Sequence, residues 1–248
     1  MKIPLLLMVL LLIITAIQAQ KKAPRYIVEL NSGASIPVGQ FADNAYSFGS
    51  SDKEPSGLAI TGYAANASVG YYVKKSVGIM LMGGISVNPQ TVDPYEEYYK
   101  QAISSTATAA IKTHAWKAVK IMAGGFYSKP LGSSSKCLLV TKLTAGVCKT
   151  AVPEYSYSVY DQNGFPVTVG AVDKMSLPWA FCYQAGAGLQ FRLNKMLHIV
   201  FDVSYFNSKP QKVFNYNPNS PSPGTLIAAE RKYSLASVNA LAGIGVKL

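Results

Sequence analysis

From Tyr26 to its end the chain alternates, residue by residue, between apolar side chains and small or polar ones. Eight segments carry the pattern, at about 25–36, 58–73, 77–88, 114–127, 137–148, 179–193, 197–206 and 233–248. In the clearest of them Trp179, Phe181, Tyr183, Leu189, Phe191 and Leu193 oppose Gln184, Gly186, Gly188, Gln190 and Arg192. A period of two is the mark of strands whose faces meet different environments. The apolar face carries almost no charge, Lys117 near a strand end being the exception. The other face is Gly, Ser, Asn and Gln, with Glu29, Lys120, Lys142 and Asp202 placed singly. A soluble ligand-binding barrel has the reverse arrangement, apolar inside and charged outside. Lipid outside and a packed polar lumen inside fit this one. Composition agrees: 14% of residues are charged and mean hydropathy is +0.17, against roughly 25% charged in soluble domains. No apolar run after residue 14 is long enough for a membrane-spanning helix.

The first residues have a separate task. Lys2 precedes an apolar run from Leu5 to Ile14, and the small Ala19 follows. That run is too short to span a bilayer and reads as a secretory signal peptide, residues 1–19. The rest, residues 20–248, is expected to be one domain: all-β, an eight-stranded antiparallel up-and-down transmembrane β-barrel. Connections alternate without exception. Those near Lys74-Lys75, Ser128 to Ser135 and Asn194-Lys195 are short, and those at about 37–57, 89–112, 149–178 and 207–232 are long. The long ones are rich in turn formers, as in Asn215-Tyr216-Asn217-Pro218, and no amphipathic helix is expected in them.

Signal peptide, eight alternating segments and a last strand reaching the C-terminus resemble the small outer-membrane β-barrels of Gram-negative bacteria, of the OmpA/OmpX type. Gly33-Ala34-Ser35-Ile36-Pro37-Val38-Gly39-Gln40-Phe41 is similar to the Gly-x-x-x-Pro-x-Gly-x-Phe that often ends the first strand there. One departure is Leu248, where that family usually ends in Phe. The resemblance implies an outer-membrane location, termini and short turns in the periplasm, and long loops outside.

Charge sorts by this topology. The long loops hold ten acids and nine bases, whereas the N-terminus, short turns and adjoining strand ends hold ten bases and no acid. Lys74, Lys75, Lys129, Lys136, Arg192 and Lys195 form the body of this basic periplasmic rim. Anionic outer-membrane lipids or an acidic periplasmic protein suit it; snorkelling anchors are the plainer use of the same side chains. Nucleic acid, the usual partner of basic proteins, is not expected for an exported barrel. Inside, Glu29, Lys120, Lys142 and Asp202 are expected to pair across the lumen, because an unpaired buried charge is costly.

Little else suggests chemistry. His114 and His198 fall at opposite ends of the barrel and cannot share a metal, so no metal, cofactor or catalytic residue is assigned. Ser104, Ser105, Thr113, Glu96 and Glu97 near His114 leave a lipid-active triad as the weakest of three readings. A small channel for hydrophobic or ionic solutes is the second, and a non-enzymatic envelope barrel that is structural or binds a partner, with a closed polar lumen, is the first. Cys148 and Cys182 point inward by parity at the loop ends of consecutive strands, which makes them a candidate disulfide; Cys137 lies on the opposite face. Outward Tyr26, Tyr71, Tyr127 and Phe191 on the turn side, with Trp179, Phe181 and Tyr205 on the loop side, are expected to form two interfacial girdles. Tyr95, Tyr98, Tyr99, Tyr155, Tyr157 and Tyr160 could instead form a carbohydrate-stacking platform for an extracellular ligand.

Overall fold

The computed structural model describes residues 25–44, 56–103, 107–132, 136–216 and 227–248. The expected signal peptide lies outside the described residues. In chain order the strands begin with β1 (Tyr26–Pro37), β2 (Gly62–Tyr72), β3 (Val77–Asn88), β4 (Thr108–Thr113) and β5 (Trp116–Leu131). They continue with β6 (Cys137–Val152), β7 (Tyr155–Tyr160), β8 (Pro166–Val172), β9 (Met175–Ser176) and β10 (Ala180–Arg192). β11 (Leu197–Ser208), β12 (Gln211–Tyr216), β13 (Ile227–Lys232) and β14 (Leu235–Lys247) complete them. Among the described residues a helix, α1 (Asp93–Ile103), precedes β4, and a 3-10 turn at Gly39–Phe41 follows β1.

Eight strands make the wall, in the antiparallel order β10, β11, β14, β1, β2, β3, β5, β6. The last pairs with the first, from Cys137 opposite Phe191 to Cys148 opposite Ala180. The sheet therefore closes, and it does so with the eight segments the alternation marks out. Closure is required here: in hydrocarbon no water satisfies a strand edge, so every wall strand needs two neighbours. The short turns hold the register. Between β10 and β11 the Asn194 carboxamide oxygen accepts from the backbone N–H groups of Met196 and Leu197, both at 2.8 Å, a local bond that makes Asn a turn former.

The two faces differ as the sequence requires. Leu81, Leu143 and Phe181 are 58%, 65% and 67% exposed on the outer face. Burying apolar surface is worth about 25 cal/mol per Å², so a belt of this kind is stable only against lipid. Tyr26 and Tyr71 stack 5.1 Å apart at the turn side, and Tyr183 meets Tyr205 at the loop side. The inward face is buried and tightly filled, and glycine makes room for the larger groups. A Cβ on Gly78 would collide with the Phe126 ring, and one on Gly245 with the His198 imidazole.

That inward face corrects one expectation: the lumen is closed but not polar throughout. Ile27, Met80, Phe126, Leu138 and Val140 form an apolar cluster toward the turn side. Met82, Met122, Cys148, Cys182 and Phe206 form another toward the loops. An eight-stranded barrel is just wide enough for side chains to fill it, so its interior excludes water and can take apolar groups beside polar ones.

The long loops are also more ordered than turn formers suggest. β4 and β7 extend the β5–β6 pair beyond the wall, tied at the bend by the His114 N–H donating to the Glu154 carbonyl at 3.1 Å. β8 folds back on β7 to complete a three-stranded sheet, and β12 pairs with β13 in a separate hairpin. Helix α1 overturns the expectation of no helix; its first turn carries Asp93 and Glu96 and Pro94, residues that favour a helix N-terminus. Beneath this crown, Phe41, Ala59, Trp116, Leu177, Tyr233 and Leu235 pack together. The Trp116 indole N–H donates to the Gly57 carbonyl at 2.8 Å. All four long loops or their flanks contribute, so the cluster is a lid over the loop-side mouth.

Two outcomes are expected of such a barrel. The folded protein should migrate differently from the boiled one on detergent gels. Gly78→Leu, which forces a side chain against Phe126, should cost about 1–3 kcal/mol, read as a lower urea midpoint with an unchanged slope. A midpoint equal to that of the parent protein would show that the lumen is not packed at this position.

Candidate functional site

The strongest concentration of buried charge lies in the lumen. Lys142 on β6 stands 2.9 Å from Glu29 on β1 and 3.1 Å from Asp202 on β11. Gln190 on β10 donates to the other Glu29 oxygen, and the His198 Nε2 lies 3.8 Å from it. Four strands are thus tied across the interior by one lysine and its neighbours. The expected pairing holds for three of the four sequence candidates. Lys120 stands apart: its ammonium donates to the Gln184 carboxamide at 2.8 Å and lies 4.6 Å from the centre of the Phe206 ring. Gln184 in turn donates to Ser204 at 2.9 Å. Lys120 is therefore held by a dipole and an aromatic face instead of a carboxylate. His198 joins the cluster unforeseen, although it shares inward parity with Asp202 four residues on.

The packing around this cluster is close. The cavity beside Glu29 and Lys142 measures about 10 Å³, as do those beside His198 and below the lid. That is room for about one water molecule each. A hollow of about 610 Å³ lies elsewhere, on the outer wall, where Ser32, Ala65, Ala67, Gly83 and Ala242 are small between Leu30, Ile85 and Ile121.

The six candidate rim bases come together. Lys74 and Lys75 lie in the β2–β3 turn, Lys129 and Lys136 flank the β5–β6 turn, and Arg192 and Lys195 flank the β10–β11 turn. All are exposed at one end of the barrel. Two turns are joined directly, the Arg192 N–H donating to the Lys136 carbonyl at 2.8 Å.

The remaining candidates fare differently. Cys148 and Cys182 are both inward and buried, and all three cysteines are free thiols in the structure. His114 faces solvent, 3.4 Å from Glu154 of the third loop. Ser104 and Ser105 lie outside the described residues. Among the described residues no cluster of three metal-ligating side chains occurs. The tyrosine platform is corrected: Tyr95 is 5% exposed and packs on Tyr155 at 5.0 Å. Tyr98 and Tyr157 pack against Ala107, Ala109 and Val159. These rings build the interior of the crown, and burial pushes the Tyr95 phenol well above its ordinary value.

No family model and no curated protein matches the chain. Among solved structures it is similar to Neisserial surface protein A, at 12% identity over 90% of this chain and 96% of that one, with a TM-score of 0.46. It is similar to the outer membrane protein OprG from Pseudomonas aeruginosa at 13% identity, 92% and 97% coverage and a TM-score of 0.48. Ail, the attachment invasion locus protein of Yersinia pestis, matches at 13% identity, 92% and 100% coverage and 0.40. The barrel described above stands on its own strand pairing and exposed belt.

The two buried lysines should respond in opposite ways to loss of charge. Lys142→Met leaves Glu29 and Asp202 buried without their partner and should cost about 3–5 kcal/mol. Lys120→Met removes a buried ammonium held by Gln184 and Phe206 and not by a direct ion pair, and should cost under about 1.5 kcal/mol. Urea unfolding of both variants in the same detergent checks the contrast; equal losses would contradict it.

Proposed function

We propose that this is a non-enzymatic barrel of the outer membrane whose work is done at its two ends and not through its lumen. One observation carries the reading: the interior is filled with side chains, crossed by the Lys142–Glu29–Asp202 contacts and covered by the Trp116 lid. A solute channel would need a continuous opening, and the cavities beside Glu29, beside His198 and under Trp116 hold about one water each. The long loops face outward and the termini lie in the periplasm, as the basic rim favours. There Lys74, Lys75, Lys129, Lys136, Arg192 and Lys195 meet anionic lipid headgroups or an acidic protein surface. Each such base is worth roughly 1 kcal/mol near an anionic surface, screened within about 8 Å at physiological salt. The ordered crown is the surface offered to an extracellular ligand. His114 faces solvent 3.4 Å from the exposed Glu154 carboxylate, a pair that gives no reason to prefer a hydrolytic site.

In planar bilayers the purified protein should show no steady conductance of nanosiemens order; such a conductance would favour the channel. Replacing Lys74, Lys75 and Lys195 by Gln should weaken binding to vesicles containing anionic lipid, with a smaller salt dependence, and leave the heat-dependent gel shift intact. Impermeant lysine labelling of intact cells should spare Lys74 and Lys75. Labelling there, with the long loops protected, would invert the topology.

A further inference from the structure

We propose that Cys148 and Cys182 are joined by a disulfide in the exported protein, closing residues 149–181, the whole third loop with its crown strands, into a covalent ring on the barrel wall. The inference starts from register. On the adjacent strands β6 and β10, Cys148 lies opposite Ala180 and Cys182 opposite Gly146, so the cysteines are diagonal neighbours on the inward face. Gly146 presents no side chain directly opposite Cys182, and Cys148 is the next inward residue along β6. Its thiol donates to the Ser208 hydroxyl at 3.1 Å. Ser208 is the cross-strand partner of Cys182 on the far side of β10. Cys148, from β6, thus reaches the residue that pairs with Cys182. Both belong to the apolar cluster under the lid. A disulfide needs its Cβ atoms about 3.5–4.5 Å apart, closer than diagonal neighbours usually stand, so the bond draws β6 and β10 together at this point. Cys137 is excluded by parity, since it lies on the outward face of β6, opposite Phe191.

The oxidant is a disulfide-bearing thiol oxidoreductase of the exported compartment, where such bonds form and persist. The thiolate of one cysteine attacks the oxidant's disulfide, giving a mixed disulfide. The thiolate of the other then attacks the bonded protein sulfur and expels the oxidant as a dithiol. The chain loses two electrons and two protons, and the oxidant gains both. Cys148 is 1% and Cys182 0% exposed, so no enzyme reaches them once the barrel has closed. The bond therefore forms on the exported chain before the lumen packs, and is then sealed against reductants.

This rests on the reading of the chain as exported, and the test separates the two. Cells are quenched in acid, and the membrane and soluble fractions are alkylated in denaturant, without reductant, with a maleimide that adds a countable mass. One tag per chain in the membrane fraction is expected, on Cys137, and three after reduction. Cys137→Ser should take no tag before reduction, and Cys182→Ser should take two. Three tags on the unreduced membrane-fraction protein, or two on Cys137→Ser, overturn the disulfide and leave the barrel reading standing. Recovery of the chain in the soluble fraction alone overturns the exported-barrel reading itself.

Discussion

A strand in hydrocarbon cannot leave its backbone unpaired, and this constraint governs the rest of the structure. The β6–β10 pairing, twelve residues long from Cys137 to Cys148, removes the last edge. Closing eight strands fixes an interior width that admits side chains and nothing more. Every inward position must then be sized against those across from it, which is why glycine recurs where a ring or long chain arrives. Phe126 occupies the space over Gly70 and Gly78, and His198 that over Gly245. Charges enter such an interior only with partners. Lys142 meets two carboxylates from two other strands, so it fixes the relative height of β1, β6 and β11 as well as offsetting part of their charge.

How much of this was legible depends on the range of the interaction. Alternation is local, so Glu29, Lys120, Lys142 and Asp202 could be set inward and Cys137 outward by parity alone. Which inward groups meet is set by stagger around the closed wall, and Lys142 finds Glu29 across 113 residues of sequence. Parity gave Lys120 the same standing, yet its level in the barrel brings it to Gln184 and Phe206. His198 shares the inward parity of Asp202, but its approach to Glu29 depends on the same stagger. The six rim bases lie together at one end because the tight turns that carry them are local.

The crown was the least legible part. α1 left a local trace in Asp93-Pro94 and Glu96, outweighed by the general expectation that long loops carry no regular structure. The β4–β7–β8 sheet left none, because its strands come from two loops and pair only when β5 and β6 are already in register. The tyrosines follow from that sheet. Once β4 and β7 pair, Tyr95, Tyr155 and Tyr157 are drawn together, and rings that looked like a binding platform are used to pack one loop on the other.

The two ends of the barrel are therefore unlike in the kind of recognition they can support. At the turn side the charge is of one sign, ten bases without an acid by sequence. Attraction there is long-ranged, tolerant of geometry and weakened by salt. At the loop side ten acids balance nine bases, and no net field is left to draw in a charged partner. What that side offers instead is a surface held in one shape by its own core, with Val167 and Val169 of β8 left 51% and 67% exposed. Contacts to such a surface rest on fit and apolar burial, which ionic strength does not weaken. Salt dependence would thus distinguish which end of the molecule a partner occupies, because only one end carries a net charge of one sign.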